Sequence, residues 1–226
     1  MGRRFSEAIG YIINSVLAII YGTNDKCLIC GEYEDVDYIC ETCKININII
    51  NLRYKIEKGN EHIYCYSLGF YSYGLKKLIL AFKYDKDFSA GEILSRYMSE
   101  FVLNEFNKEI DMLTFIPSSK ESLRKRGFNQ CEVLCEFISK SCSIPYECLI
   151  DKSIESKDQI GLDNKKRWDN VRGSFKVKSN KSIEGKRILL IDDVITSGAT
   201  GFYAAMALKE AKVKEVFILT VAKSRV

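Results

Sequence analysis

Two strongly aliphatic runs near the C-terminus constrain the fold more than any other feature of the sequence. They are residues 187–192, RILLID, and residues 215–222, EVFILTVA, and residues 200–211 between them carry a helix pattern. Runs this apolar are typical of parallel strands that are covered on both faces of their sheet. Strand, helix and strand in succession predict an α/β fold, so we expect a parallel sheet flanked by helices.

Further segments extend this alternation toward the N-terminus. Strand patterns cover residues 63–71 and 111–117, and helix patterns cover residues 74–84, 92–106 and 129–141. The chain contains no internal repeat or low-complexity tract that would suggest a different architecture.

The sequence divides into two expected domains. Residues 1–50 hold an N-terminal helix and a cysteine-rich module, and residues 51–226 hold the α/β body, with the polar residues 51–62 as a linker. The net charge of +4 permits the binding of phosphate or nucleic acid without indicating it.

Residues 1–22 resemble a signal peptide, because two arginines precede an apolar stretch. Asn14 and Ser15 interrupt that stretch, no small-residue cleavage site follows, and it is too short to span a membrane. Its apolar residues recur at helical spacing, which predicts an amphipathic helix that packs on the rest of the chain. A helix that binds a membrane surface or a partner protein is the alternative.

Four cysteines form two C-x-x-C pairs, Cys27 with Cys30 and Cys40 with Cys43, separated by nine residues. Each pair can hold one ion with two thiolates, and four thiolates in a tetrahedron favour Zn²⁺. Gly31 suits the tight turn after the first pair. All four positions are occupied by cysteine, so we predict a structural zinc site. An iron–sulfur cluster or a redox dithiol pair is the alternative.

The total of nine cysteines also indicates the compartment. An odd number in a chain of this length argues against a disulfide framework. We therefore expect a reduced, cytoplasmic protein with one metal site and five ordinary thiols.

Two acids end the first aliphatic run, and a short hydroxyl-rich turn leads from them into the next helix. Asp192 and Asp193 can accept hydrogen bonds from the vicinal hydroxyls of a ribose, and backbone N–H groups at a helix N-terminus bind phosphate. Together they predict a site for a ribose 5-phosphate; a solvated strand end with an ordinary helix cap is the alternative. The residues of the turn are Thr196, Ser197, Gly198, Ala199 and Thr200.

This stretch resembles the phosphoribosyl-pyrophosphate (PRPP) signature of type I phosphoribosyltransferases. The resemblance implies that fold, with Asp192 and Asp193 holding the ribose hydroxyls and residues 196–200 holding the 5-phosphate. Purine-specific members carry an acid at the first position of the turn, where this chain has Thr196, so nothing in the turn supplies a base toward a purine ring.

Three other segments narrow the resemblance to the ComF family, which is linked to natural competence and DNA uptake in bacteria. The N-terminal four-cysteine module also matches that family. The first segment is IPSSKESLRKRGFNQ, residues 116–130. The second matches through Gln159, Leu162, Arg167, Asn170 and Phe175. The third matches through Tyr71, Leu75, Ile79 and Lys83.

The resemblance implies a reaction in which pyrophosphate leaves the C1 atom of PRPP. Such a site needs cations for the pyrophosphate and one Mg²⁺ held largely by substrate and water. We expect Lys83 and the basic loop after Pro117 to supply those cations. The expected catalytic residues are Asp192, Asp193 and, from the basic loop, Arg126. A solvated basic loop is the alternative. The loop offers Ser118, Ser119, Lys120, Arg124, Lys125 and Arg126.

Residues 152–168 are polar and aperiodic, and we expect them to form a lid over the site. Arg167 and Trp168 at its end could stack on a base, although a packed tryptophan is an equal alternative.

The sequence leaves the function open between two classes. The first is a Mg²⁺-dependent phosphoribosyltransferase that acts on an unknown acceptor. The second is a non-catalytic component of the DNA-uptake machinery that binds PRPP or a nucleotide and contacts a protein partner. A DNA-binding module is a weaker alternative, since basic and aromatic residues are not interleaved.

Overall fold

The structure, a computed structural model, describes residues 26–33, 38–106, 109–152, 168–169, 171–178 and 183–225. The predicted N-terminal helix and residues 153–167 of the predicted lid lie outside these ranges. The chain divides into two compact units between Asn46 and Ile47. The expected domain boundary at residue 50 stays a prediction.

The second unit contains all the strands of the described residues. In chain order they are β1 (Leu52–Lys58), β2 (Glu61–Phe70), β3 (Met112–Phe115), β4 (Ile150–Lys152), β5 (Phe175–Val177), β6 (Arg187–Ile195) and β7 (Glu215–Lys223).

The main sheet has five strands in the order β1-β2-β7-β6-β3. The four strands from β2 to β3 are parallel, and β1 pairs with β2 in the antiparallel sense. Leu189, Leu190 and Ile191 of β6 are fully buried, as their aliphatic run predicts. The expected α/β class with a mainly parallel sheet is therefore confirmed. Strands β4 and β5 form a separate antiparallel pair.

Helices join the parallel strands and pack against them. In the part of the chain that the structure describes, the α-helices are α1 (Glu41–Asn46), α2 (Tyr73–Leu80), α3 (Phe88–Phe106), α4 (Lys120–Arg126), α5 (Gln130–Cys142) and α6 (Ala199–Glu210). Helix α6 contacts β6 and β7, α5 contacts β3 and β6, and α3 contacts β2 and β7.

The prediction of a linker at residues 51–62 is wrong, because this stretch forms β1 and the start of β2. Every second residue of β1 turns inward, and Ile56 is the most buried of them. Gly59, with a φ of +60°, forms the turn that returns the chain as β2. The alternation of inward and outward residues did not predict a strand, because charged Arg, Lys and Glu residues occupy the outward positions and make the whole stretch polar.

Two other expectations need correction. The basic segment after Pro117 is a helix, α4, rather than a loop. Ser119 caps it by accepting a hydrogen bond from Ser122 N at 3.1 Å, and Gly127 ends it in the left-handed conformation. The helix predicted at residues 74–84 changes after Leu80 into a π-helical turn, Ala81–Asp85. π-Helical turns inside helices occur frequently at functional sites.

Within the described part of the chain, no helix is long and apolar enough to cross a bilayer.

Candidate functional site

The four predicted metal ligands lie together in the first unit. The Sγ atoms of Cys27, Cys30, Cys40 and Cys43 all lie within 4.8 Å of one another. The first pair is held by a tight turn, in which Gly31 N donates to Cys27 O at 2.8 Å and Gly31 has a φ of +82°. Helix α1 begins directly after Cys40 and carries Cys43 inward.

The backbone around these thiols strongly stabilises the thiolate form of Cys27. Burial acts to raise the pKa of Cys27, but hydrogen bonds from backbone N–H groups, including those of Cys30, Cys40 and Ile29, lower this pKa to about 6. The pKa of Cys43 is raised by burial and by the neighbouring thiols. Four thiol groups at this separation, with amides directed at one sulfur, fit a tetrahedral metal site. The cluster could therefore hold a zinc ion.

A separate cavity opens at the carboxyl ends of the parallel strands, where such sheets bind their ligands. Its volume is about 420 Å³, and we call it the first cavity. It brings together Lys83, both predicted acids and the whole predicted turn. Its lining residues are Tyr71, Lys83, Asp192, Asp193, Val194, Ile195, Thr196, Ser197, Gly198, Ala199, Thr200, Gly201 and Ser224.

The two acids lie within the last four residues of β6 rather than beyond its end. The strand continues through Ile195, and Asp192 pairs in register with Thr220 of β7. The backbone N–H of Val194 donates to Asp193 Oδ1 at 2.5 Å, and that of Asp193 donates to Asp192 Oδ1 at 2.9 Å. The carboxylates are therefore held in place by the strand itself.

Lys83 forms an ion pair with Asp193 in the first cavity. The side chains of both residues are only 16% exposed. Burial acts to lower the pKa of Lys83, but the attraction of Asp193 and its hydrogen bond outweigh this, so that pKa is raised. The ammonium group therefore stays charged and neutralises one of the two adjacent acids.

Asp192 is partly buried in the same cavity. Burial first, and then repulsion by Asp193, raise its pKa from 3.8 to about 7. The thiol of Cys131, on the first turn of α5, donates to Asp192 Oδ1 at 3.4 Å. A carboxyl group in this setting gains or loses its proton near neutral pH.

The turn between β6 and α6 depends on its glycine for two reasons. Gly198 caps α6 with a φ of +82°, a conformation that side chains rarely adopt. A Cβ atom at this position would lie 2.7 Å from Cδ1 of Ile56 in β1. The absence of a side chain at Gly198 therefore lets the turn pack closely against the edge strand β1. The turn leads directly into α6, and the first backbone N–H groups of a helix have no partner within the helix.

Of the residues predicted to bind pyrophosphate, only Lys83 lies at the first cavity. Lys83 lines the first cavity, but none of the predicted residues from the segment after Pro117 does. Arg126 donates to Gln130 Oε1 at 2.9 Å and lies 5.6 Å from the ring centre of Tyr84. The residues of that segment outside the lining are Ser118, Ser119, Lys120, Arg124, Lys125 and Arg126.

Sequence reasoning missed three residues of this site. Tyr71 follows β2 and Ser224 follows β7, so both belong to the same sheet edge as the acids. Their position after a strand was a usable signal. Cys131 has none, because its contact with Asp192 joins residues 61 positions apart.

No family model matches the chain. It is 30% identical over 210 residues to competence protein ComFC of Bacillus subtilis, which covers 90% of this chain and 79% of that protein. It is 32% identical over 148 residues to ComFC of Streptococcus pneumoniae, covering 65% of this chain and 62% of that one. A solved adenine phosphoribosyltransferase is 10% identical, with a TM-score of 0.44, over 81% of this chain and 89% of that one. The similarity to the competence proteins is the one that carries weight.

Proposed function

Because this chain belongs to the ComF family of competence proteins, we propose that its first cavity binds PRPP and that the protein transfers the phosphoribosyl group to an acceptor. One observation carries the proposal: two acids near the end of a strand, a hydroxyl-rich turn at a helix N-terminus and a largely buried lysine line the same cavity. Each of these groups matches a different part of a ribose 5-phosphate with a charged leaving group.

The ribose and the 5-phosphate have separate partners in this proposal. Asp192 and Asp193 accept hydrogen bonds from the ribose hydroxyls, which is the chemistry that vicinal diols require. The hydroxyls and N–H groups of residues 196–200 hold the 5-phosphate, with the dipole of α6 favouring its negative charge.

Lys83 changes partner when the ligand binds. Its ion pair with Asp193 occupies the oxygen that a ribose hydroxyl would approach. PRPP brings a pyrophosphate with several negative charges, which is a stronger partner for the ammonium than one carboxylate. Lys83 therefore moves to the pyrophosphate as Asp193 becomes available to the sugar.

Magnesium fits this site only in part without substrate. The carboxylates of Asp192 and Asp193 are oxygen ligands of the type that Mg²⁺ prefers, but Lys83 already neutralises one of them. The ion would therefore enter with PRPP, and when bound it would neutralise charge on the leaving pyrophosphate.

A second candidate function is a binding component of the DNA-uptake machinery without turnover. The position of Arg126 favours it, because this residue is bonded to Gln130 and lies outside the lining of the first cavity. In the transferase, Arg126 must move to the leaving group. Arg126→Ala should then lower turnover by roughly 10²–10³-fold with a smaller loss of PRPP affinity. Release of pyrophosphate from no acceptor, together with intact PRPP binding, would favour the binding component.

The four-cysteine module has a structural role in this proposal. A zinc ion bound by Cys27, Cys30, Cys40 and Cys43 stabilises the first unit and offers a surface for a protein partner in DNA uptake. Direct binding of nucleic acid by this unit is a weaker proposal, since the residues between the two cysteine pairs are acidic.

Melting curves with PRPP and Mg²⁺ test the binding proposal. PRPP should raise the melting temperature, because a ligand that binds only the folded state stabilises it. Ribose 5-phosphate lacks the pyrophosphate and should give a smaller rise. The double variant Asp192→Ala, Asp193→Ala should give none, and an equal rise in wild type and double variant would remove the site assignment.

A further inference from the structure

Cys131 contacts Asp192 but has no part in the function proposed above. It lies in the first turn of α5 and is 6% exposed. Its thiol donates to Asp192 Oδ1 at 3.4 Å. A buried cysteine often acts only as a small apolar residue, so the way in which this thiol is held decides whether it does more.

A closed series of hydrogen bonds fixes the backbone of Cys131 relative to β6. Ile116 N donates to Ile191 O of β6 at 3.0 Å. Ile116 O accepts from Asn129 Nδ2 at 3.1 Å, and Asn129 Oδ1 accepts from Cys131 N at 3.1 Å. The thiol of Cys131 then returns the series to β6 at Asp192, the residue after Ile191. Apart from the acid, every member of the series is buried, so the series holds the thiol beside the acid.

The thiol remains a hydrogen-bond donor in this position. Burial first, and then the charges of Asp192 and Asp193, raise the pKa of Cys131 well above its usual value. A protonated thiol can donate to an ionised carboxylate, which can only accept. The hydrogen bond also stabilises the charged form of Asp192, against burial and the repulsion of Asp193, which raise the pKa of that acid.

The two oxygens of Asp192 have different surroundings. Oδ1 accepts hydrogen bonds from the backbone N–H of Asp193 and from the thiol of Cys131. Within the described part of the chain, no group donates to Oδ2. Two donors on one oxygen restrict the rotation of the carboxylate and leave the other oxygen for a ligand.

We infer that Cys131 is a positioning residue of the PRPP site, because its thiol holds Oδ1 of Asp192 and leaves Oδ2 for a ribose hydroxyl. This inference rests on the proposed binding of PRPP in the first cavity. Cys131 is not among the residues that line this cavity, so it acts on the sugar through Asp192 and not by contact.

Ribose 5-phosphate and inorganic phosphate separate this role from packing. In the proposed site both ligands bind to residues 196–200, but only ribose 5-phosphate presents hydroxyls to Asp192. Loss of the thiol should therefore weaken the binding of ribose 5-phosphate and leave the binding of phosphate unchanged. Isothermal titration calorimetry at a single pH, without Mg²⁺, measures both affinities.

Cys131→Ala and Cys135→Ala form a matched pair of variants. Cys135 lies one turn further along α5 and is fully buried, and its thiol makes no hydrogen bond to Asp192. Cys131→Ala should weaken ribose 5-phosphate about three- to tenfold, the range of an ordinary hydrogen bond. Cys135→Ala removes a thiol of the same size and should keep the wild-type affinity. If Cys131→Ala does not fold, Cys131→Val fills the space without a donor and replaces it.

Two further variants test whether the effect depends on the hydrogen bond to Asp192. Cys131→Ser keeps a donor, so it should bind ribose 5-phosphate within about twofold of wild type. In an Asp192→Ala background the thiol has no carboxylate to hold, and Cys131→Ala should cause no further loss. A Cys131→Ser variant that binds no better than Cys131→Ala would overturn the inference, as would a full further loss in the Asp192→Ala background.

The remaining outcomes separate this inference from the proposed function. If wild type and Cys131→Ala bind ribose 5-phosphate equally, or if the variant loses affinity for both ligands alike, the positioning role is overturned while the PRPP site stands. If wild type binds neither ribose 5-phosphate nor PRPP, the proposed function is wrong and the positioning role is overturned with it.

Discussion

The four-cysteine cluster and the first cavity are assembled from the sequence in opposite ways. All four thiols come from residues 27–43, and their spacing alone predicted that they would meet. The first cavity draws on Tyr71, Lys83, residues 192–201 and Ser224, which only the sheet brings together. A site made from one local segment can be predicted complete, whereas a site made by the fold can be predicted only in its local part.

The two sites also differ in how they balance charge. The cysteine cluster concentrates thiols with no cationic side chain among its ligands, so a metal ion must supply the positive charge. The first cavity contains its own cation, Lys83, paired with Asp193. We expect the cysteine cluster to need its metal ion for folding. We expect the first cavity to be stable without a bound ligand.

The largest expected effect is at the cysteine cluster. Wild type, purified under reducing conditions, should contain about one zinc per chain, and Cys30→Ser should contain almost none. Structural zinc contributes on the order of 10 kcal/mol to the folding of small domains, so the first unit should unfold in the variant. Metal analysis and proteolysis of this unit provide the measurements.

Cys142→Ser is the control for this change, because Cys142 lies outside the cluster. It should retain full zinc content. A folded, zinc-free wild type would show that the cluster is not a metal site and that the first unit does not depend on a ligand for folding.

The next effect concerns the largely buried ion pair of Lys83 and Asp193. Lys83→Met leaves Asp193 beside Asp192 without its counter-ion, and the loss of one partner from a buried pair costs about 3–5 kcal/mol. Urea unfolding of the unliganded protein should show this loss. Lys76→Met, at an exposed position of α2, should stay within about 0.5 kcal/mol of wild type. Equal stability of the two variants would mean that the cavity does not need its internal cation.

A smaller effect is expected from pH. Since the pKa of Asp192 is raised from 3.8 to about 7, the folded protein binds this proton more tightly than the unfolded chain. The group therefore opposes folding increasingly as the pH rises from about 4 through about 7. Between pH 5 and pH 8, wild type should lose roughly 2–3 kcal/mol relative to Asp192→Asn. Parallel slopes for the two proteins in urea unfolding would contradict the assignment.

The smallest effect separates conformation from packing at the turn. Gly198→Ala and Gly59→Ala both place a side chain at a positive φ, which costs about 1–2 kcal/mol. Only the first also meets Ile56, while nothing lies within 4 Å of a Cβ atom at Gly59. Gly198→Ala should therefore be less stable than Gly59→Ala by about 1 kcal/mol, the low end of the cost of overpacking. Thermal unfolding measures the difference, and identical stability would show that Ile56 yields freely.

The difference between local and long-range contacts also determines how much of the fold the sequence could predict. Aliphatic runs identified β6 and β7, because burial on both faces leaves only apolar residues. The edge strand β1 was taken for a linker, since its outward residues Arg53, Lys55 and Glu57 are charged. Lys83 was expected at the site only through resemblance to a family, and its pairing with Asp193 spans 110 residues that no periodic pattern connects. Contacts of that kind depend on strand order, which local sequence does not encode.

A crystal structure with PRPP and Mg²⁺ bound would test the central claim most directly. We predict the 5-phosphate at residues 196–200, the ribose hydroxyls at Asp192 and Asp193, and Lys83 moved from Asp193 to the pyrophosphate. PRPP bound elsewhere, or bound here with the pair between Lys83 and Asp193 intact, would contradict it.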